Sequence, residues 1–153
     1  MAVVGIDPGL KGAVAVLGDQ VDVIDMPTRG KEIDGSSLAA YLSRASPGLA
    51  VVEKVHSMPR QGVRSTFTFG KGVGVVLGVL QALKIPWVEV SPQAWQKAVL
   101  WGVPGEGKAR SLLWARKIFP GVPLETSRGR KLDGRADALA LVWYGVSEEI
   151  DIC

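Results

Sequence analysis

Residue types that would assign this sequence to particular protein classes are rare in it. Cysteine occurs once, as Cys153, which excludes a framework of disulfide bonds within the chain. Histidine also occurs once, as His56. No uninterrupted apolar run approaches the roughly 18 residues of a membrane span, and no signal peptide opens the chain. We therefore expect a cytoplasmic protein without a membrane partner.

The length and composition are those of one ordinary globular domain. The 153 residues are enough to bury a sizeable hydrophobic core. Hydrophobic residues make up 47% of the chain and charged residues 22%, which are common values for such domains. Without an internal repeat or a low-complexity segment, residues 1–153 are interpreted as a single domain.

Short valine-rich runs separated by turn residues predict the strands of an α/β fold. The predicted strands cover residues 3–7, 12–17, 21–26, 49–53 and 87–90. Helices are predicted at residues 34–44, 65–84, 92–101 and 106–119, with a last helix from residue 133. The continuous apolar character of residues 49–52 indicates a strand that is covered on both faces. These elements together predict a five-stranded mixed sheet flanked by helices.

Four acidic residues stand at the ends of predicted elements, where a buried carboxylate is costly unless a cation meets it. Asp7 and Glu53 end two apolar strands, while Asp133 and Asp137 lie four residues apart at the start of the last helix. Each has a simpler explanation: a turn initiator, an ion pair with a nearby base, or acids that favour the helix dipole. Together the four carboxylates favour a site for Mg²⁺ or Mn²⁺, with two ions that promote phosphodiester cleavage.

Basic residues are concentrated in two segments, although the formal net charge is only +3. Residues 54–88 contain five Lys or Arg and no acid, and residues 107–132 contain seven against Glu125 alone. A basic surface beside an acidic cleft is typical of a protein that holds a polyanion across a metal site. Six of these residues are interpreted as phosphate contacts: Arg60, Arg64, Lys71, Arg128, Arg130 and Lys131.

The motifs that carry three of the acids resemble those of the RuvC family of Holliday junction resolvases. They are Gly5-Ile6-Asp7-Pro8-Gly9, Val51-Val52-Glu53-Lys54-Val55 and Ala136-Asp137-Ala138-Leu139-Ala140. In addition, Lys97 and Lys108 flank Gly102 at the spacing of two lysines that in this family touch DNA near the scissile phosphates. The resemblance covers nearly the whole chain and implies a ribonuclease-H-like fold.

The resemblance implies a homodimer that binds four-way DNA junctions and nicks two strands symmetrically. It implies Mg²⁺ or Mn²⁺ as the cofactor, no nucleotide cofactor, and Asp7, Glu53 and Asp137 as metal ligands. The family usually has an Asp or His three residues before the last acid, where this chain has Gly134. Asp133 is expected to take that place, because residues four apart share one face of a helix. Such departures favour a bacteriophage relative over a housekeeping bacterial enzyme.

Two further side chains are expected at the DNA. His56 stands three residues after Glu53, where the family often has an aromatic residue. An imidazole can stack on a base, and it also titrates in a range that suits general acid or base catalysis; a DNA contact is the favoured role. Trp101 is the tryptophan expected to contact DNA, because it stands beside Gly102 in the segment between the two lysines.

Two other functions also fit parts of the sequence. A non-catalytic module that binds branched DNA would be consistent with Gly134 and incomplete metal ligation. An actin-like nucleotide-binding domain has a phosphate loop similar to Asp7-Pro8-Gly9, but the chain is too short for the paired domains of that class. Cleavage of a synthetic junction would exclude the non-catalytic module. Saturable ATP binding would favour the actin-like domain.

The predicted helix at residues 65–84 contains glycines at a four-residue spacing. Gly70, Gly74 and Gly78 each weaken a helix by about 1 kcal/mol relative to alanine. Their small size would let another backbone approach, either within one subunit or between two. The sequence favours neither of these explanations.

Overall fold

The computed structural model describes residues 1–55, 59–148 and 150, which contain seven strands. They are β1 (Val3–Asp7), β2 (Ala13–Leu17), β3 (Val21–Asp25), β4 (Thr28–Arg29), β5 (Glu32–Ile33), β6 (Leu49–Glu53) and β7 (Trp87–Val90). Five of them form one sheet in the order β3-β2-β1-β6-β7. The sequence analysis did not identify the β4–β5 hairpin, because strands of two residues are too short to show an alternating pattern.

The main sheet is mixed, as predicted. β1 pairs antiparallel with β2, and β2 with β3, whereas β6 runs parallel to both β1 and β7. Ile6 stands opposite Val52 in the β1–β6 pair, so the next residues, Asp7 and Glu53, lie at the same edge of the sheet. The parallel register therefore places these two acids side by side.

Five helices complete the described part of the fold. They are α1 (Gly35–Ala45), α2 (Val63–Ala82), α3 (Pro92–Val99), α4 (Lys108–Ile118) and α5 (Asp133–Ser147). Asp34 caps α1 by accepting a hydrogen bond from the Ser37 amide, and Ser91 caps α3 in the same way from Ala94. The predicted helices are confirmed, with ends that differ by a few residues; α2, for example, begins at Val63, two residues before its predicted start.

Helices cover both faces of the main sheet. α1 and α2 pack with Ala50 and Val52 in one core, while α3, α4 and α5 pack with Leu49 and Val51 in the other. Alternate residues of β6 therefore enter opposite cores, which explains the continuous apolar run.

Glycines, which have no side chain, let α5 approach the sheet closely. A Cβ atom at Gly134 would lie 2.5 Å from the Lys11 carbonyl oxygen, and one at Gly145 would lie 2.6 Å from Val51 Cγ2. Arg135 also ties the start of α5 to β3, because its guanidinium donates two hydrogen bonds to Asp25, of 2.8 and 3.1 Å. There is thus no room for an acid or a histidine at position 134, where the glycine lets α5 contact the backbone of the β1–β2 turn.

One face of α2 has no neighbour among the described residues. Val63 and Phe67 are exposed, and a Cβ atom at Gly70, Gly74 or Gly78 would have no atom within 4 Å. Packing within the subunit is therefore the wrong explanation for these glycines in the part of the chain that the structure describes. By length and composition alone, α2 could also cross a membrane. The sequence analysis did not predict this, because charged residues interrupt the apolar run of α2.

Candidate active site

The four acidic residues lie together at one edge of the main sheet. Asp7 and Glu53 end adjacent parallel strands, and α5 brings Asp133 and Asp137 to the same place. The charges of Asp7, Glu53 and Asp133 all raise the pKa of Asp137, and those of Glu53 and Asp133 raise the pKa of Asp7. The fold therefore makes one electrostatic cluster from residues that are far apart in sequence.

Burial makes three of the carboxylates, those of Asp7, Glu53 and Asp137, unusually ready to hold a proton. It raises the pKa of Asp137 to about 7 and that of Asp7 to about 6, and the neighbouring negative charges add to its effect. Burial also raises the pKa of Glu53. A cation among these groups would favour their ionised forms and relieve their mutual repulsion.

The Lys108 ammonium group lies at this cluster. Its Nζ is 2.6 Å from Asp133 Oδ2, and its charge lowers the pKa values of Asp7 and Glu53. The hydrogen bond to Asp133 in turn raises the pKa of Lys108. Lys108 is the first residue of α4, and its side chain is 77% exposed. The ion pair can therefore open without disturbing the core.

Two hydrogen-bonding side chains at the cluster were missed by the sequence analysis. Trp95 Nε1 donates a hydrogen bond of 2.8 Å to Glu53 Oε2. The Ser111 hydroxyl donates one of 3.4 Å to the Lys108 carbonyl oxygen, and its polarity lowers the pKa of Asp137. Trp95 is 42 residues from Glu53, so no spacing pattern relates them. Ser111 did leave a signal, because it is a polar residue on the buried face of α4.

The chemistry of the cluster suits a divalent cation. Carboxylate oxygens are the ligands that Mg²⁺ and Mn²⁺ prefer, and the Lys108 ammonium already provides a positive charge there. Across residues 1–55, 59–148 and 150, however, no three acidic, histidine or cysteine side chains form a ready-made metal-binding group. Side-chain rotation would therefore be needed before the carboxylates could share an ion.

Five of the basic residues predicted to contact DNA are exposed. They are Lys97 in α3, Arg60 and Arg64 near the start of α2, and Arg128 and Arg130 before α5. Trp101 is also exposed, by 85%, in the connection between α3 and α4. Arg110 fixes this connection by donating hydrogen bonds of 2.6 and 3.1 Å to the carbonyl oxygens of Leu100 and Val103. The Trp101 ring is therefore presented from a well-held loop.

The other predicted contacts differ in their surroundings. Lys71 forms an ion pair with Glu32, and Lys131 forms one with Glu125. Exposed pairs of this kind contribute only about 0–1 kcal/mol, so either lysine could exchange its carboxylate for a phosphate. His56 lies outside the described residues.

A cavity of about 970 Å³ opens beside Asp7. It lies between the turn after β1, the β4–β5 hairpin and the first half of α2, and Gly9 in its wall donates a 3.5 Å hydrogen bond to Asp7 Oδ1. Basic and aromatic side chains line it: Lys11, Lys31, Arg64, Lys71, Phe67 and Phe69. This combination is typical of surfaces that bind single-stranded nucleic acid. Lys11, Lys31 and both phenylalanines were missed, because the unpredicted hairpin completes the cavity.

Neither a protein-family model nor a curated protein matches the sequence. Solved structures match its fold. The chain is 21% identical to Thermus thermophilus RuvC, with a TM-score of 0.65 over 97% of both chains. T. thermophilus RuvC in complex with a Holliday junction substrate also matches with a TM-score of 0.65, over 96% of both chains. Fowlpox virus resolvase, solved with substrate Holliday junction DNA, is 17% identical, with a TM-score of 0.60 over 99% of this chain and 100% of that one.

These similarities confirm the predicted fold class. The mixed five-stranded sheet with helices on both faces is the ribonuclease-H-like fold of RuvC and the poxvirus resolvase. The resemblance to RuvC that the sequence motifs suggested is thus confirmed at the level of the fold.

Proposed function

We propose that this protein is a metal-dependent endodeoxyribonuclease that binds four-way or other branched DNA and nicks it by hydrolysing phosphodiester bonds. The observation that carries the proposal is the cluster of Asp7, Glu53, Asp133 and Asp137 around Lys108, in a fold shared with resolvases. The substrate class is supported by the two neighbours solved with Holliday junctions. The cytoplasmic location stays a prediction.

Asp7, Glu53 and Asp137 are the proposed metal ligands, and Asp133 is the proposed fourth. When bound, Mg²⁺ or Mn²⁺ would activate a water molecule and stabilise the leaving oxygen, with two ions as the proposed number. The side chains supply the negative charge that holds the ions in place. Asp7 and Asp137 must lose their protons before they can bind, so metal affinity should rise as the pH increases through about 6 to 7.

Lys108 has two successive roles in this proposal. Without a divalent ion, its ammonium group offsets the negative charge of the cluster through Asp133. Once a divalent ion provides that charge, the exposed lysine side chain is free to turn towards the phosphate beside the cleavage position. This is the DNA contact that the sequence resemblance implied for Lys108.

The cavity beside Asp7 is the proposed path of a DNA strand into the active site. Its basic side chains would neutralise phosphates, and its phenylalanine rings would stack with unpaired bases. Lys97, Arg128, Arg130 and Trp101 are exposed outside the cavity and are proposed to contact the arms of the junction.

The open face of α2 is the proposed interface of a homodimer. Its glycines would let the α2 helices of two subunits approach closely, and exposed Val63 would be covered by association. The same exposed face would also fit a helix buried in lipid. Sedimentation equilibrium in detergent-free buffer decides between them, because a soluble dimer supports the interface and an aggregate rescued only by detergent supports a membrane role.

A non-catalytic module that binds branched DNA is the second candidate. The Lys108–Asp133 ion pair favours it, because a lysine ammonium group in an acidic site supplies positive charge that a metal ion would otherwise provide. In that case the protein would bind a junction but leave every strand intact with either Mg²⁺ or Mn²⁺.

Cleavage of a synthetic four-way junction in Mn²⁺ tests the proposal. The wild-type protein should nick the junction in preference to a linear duplex of the same sequence. Asp7→Asn and Glu53→Gln should bind the junction normally but fail to cut it, because each removes a charged metal ligand. Asp19→Asn, which changes an exposed acid at the β2–β3 turn, is the matched control and should cut as wild type. Retained cutting by D7N would contradict the assigned role.

A further inference from the structure

Trp95 connects the hydrophobic core to the candidate active site. It is 1% exposed and packs in the core shared by α3, α4 and α5. Its indole N–H nevertheless points out of that core, because Nε1 donates a 2.8 Å hydrogen bond to Glu53 Oε2. Phenylalanine could satisfy the packing but has no donor, so the hydrogen bond is a feature that apolar packing does not require.

The connection between β7 and α3 sets this contact. Val90 ends β7 directly opposite Glu53 in the parallel β6–β7 pair. Ser91 caps α3 and Pro92 begins it, so residue 95 is one turn into the helix and close to the end of β6. The strand register and the helix cap therefore bring the indole to the carboxylate.

The hydrogen bond restricts Glu53 without consuming its capacity to bind a cation. The indole N–H is only a donor and approaches a single carboxylate oxygen, Oε2, so this hydrogen bond does not occupy Oε1. Carboxylates that bind metals are commonly oriented by hydrogen bonds of this kind.

We propose that Trp95 is a positioning residue whose indole N–H holds the Glu53 carboxylate in the orientation that binds the divalent ion. The inference rests on the proposed function, because Glu53 must be a metal ligand for the position of its carboxylate to matter.

The test compares two buried tryptophans. Trp95→Phe removes the N–H donor with a modest loss of volume, and Trp114→Phe makes the same chemical change elsewhere in the same core. Trp114 is 7% exposed and packs edge-to-face against Phe119 and Trp143, with centroid distances of 5.9 and 6.1 Å. Binding of Mn²⁺ to each full-length protein is measured directly by the electron paramagnetic resonance signal of the free ion.

W95F is expected to bind Mn²⁺ about 10- to 100-fold more weakly than wild type, the usual effect of losing such a supporting contact. It should also need more Mn²⁺ for half-maximal nicking while approaching the wild-type rate at saturation, and W114F should change neither quantity. Wild-type Mn²⁺ affinity in W95F, or an equal loss in W114F, would overturn the inference. If W95F fails to fold, benzothienylalanine at position 95 replaces the N–H with sulfur in a ring of similar shape, and the same two outcomes apply.

The two proposals fail in different ways. A wild-type protein that binds no Mn²⁺ and leaves junctions intact would overturn both the proposed function and the role of Trp95. A wild-type protein that binds Mn²⁺ and nicks junctions, with a W95F variant equal to it, would overturn only the role of Trp95.

Discussion

Replacing Asp137 with asparagine should stabilise the protein in the absence of divalent cations. The pKa of Asp137 is about 7 in the folded protein because of burial and the neighbouring carboxylates, against an ordinary value of 3.8. At neutral or higher pH the folded protein must therefore hold a negative charge that it disfavours. Asparagine has nearly the same shape and never ionises, so Asp137→Asn removes this cost together with the negative charge of a proposed metal ligand.

The magnitude follows from the displacement of the pKa. A difference of about three units, at about 1.36 kcal/mol each, corresponds to about 4 kcal/mol. Because folding raises this pKa, the folded protein binds the proton more tightly than the unfolded chain. The contribution of Asp137 protonation to the free energy of unfolding is complete below pH 3.8 and is lost progressively as the pH rises through about 7. D137N should therefore unfold at a temperature higher by roughly 8–16 °C at pH 8, at about 2–4 °C per kcal/mol for a chain of this size.

Thermal unfolding followed by circular dichroism, in EDTA between pH 4 and 8.5, measures this effect. The difference between D137N and wild type should shrink on acidification, and added Mn²⁺ should stabilise the wild type but not the variant. Asp19→Asn removes an exposed carboxylate and should show no such pH dependence. A D137N protein less stable than wild type at pH 8, or a difference that is constant across the pH range, would refute the reasoning.

Three further variants and one control variant test other parts of the structure. Lys108→Ala should weaken junction binding and reduce the slope of log affinity against log salt by about one, since one phosphate contact is lost; an unchanged slope would contradict that contact. Gly134→Ala should destabilise the protein by about 1–3 kcal/mol, because its Cβ atom would crowd the Lys11 carbonyl oxygen. Gly78→Ala on the open face of α2 is the control and should be neutral or stabilising in chemical denaturation. Gly74→Lys should leave the fold intact but reduce the dimer fraction in sedimentation equilibrium, and an undiminished dimer would exclude α2 as the interface.

The main sheet and its acidic edge could be predicted from the sequence because their signals are local. A valine-rich run that ends in an acid marks both the strand and the position of its carboxylate, as for Asp7 and Glu53. Two such strands running parallel must present both acids at one edge. The start of α5 was equally visible, because Asp133 follows an irregular basic segment and opens a helix.

The supporting residues could not be predicted, because their roles depend on contacts between distant segments. Trp95 reaches Glu53 only through the register of β7 and the cap of α3. The significance of Gly134 became clear only once α5 was placed against Lys11, since in the sequence it is simply a departure from a family pattern. The β4–β5 hairpin shows no pattern at two residues per strand, so the cavity that it completes could not be foreseen.

The close contact between α5 and the sheet also determines how the active site can adapt to a ligand. A helix seated backbone-to-backbone, with no intervening side chains at Gly5 and Gly134, has no compressible layer on which to slide or tilt. The proposed metal ions would therefore be accommodated by rotation of individual side chains and by movement of the Lys108 side chain away from Asp133. Such a centre would respond to its substrate through changes of rotamer, while the framework beneath it stays still.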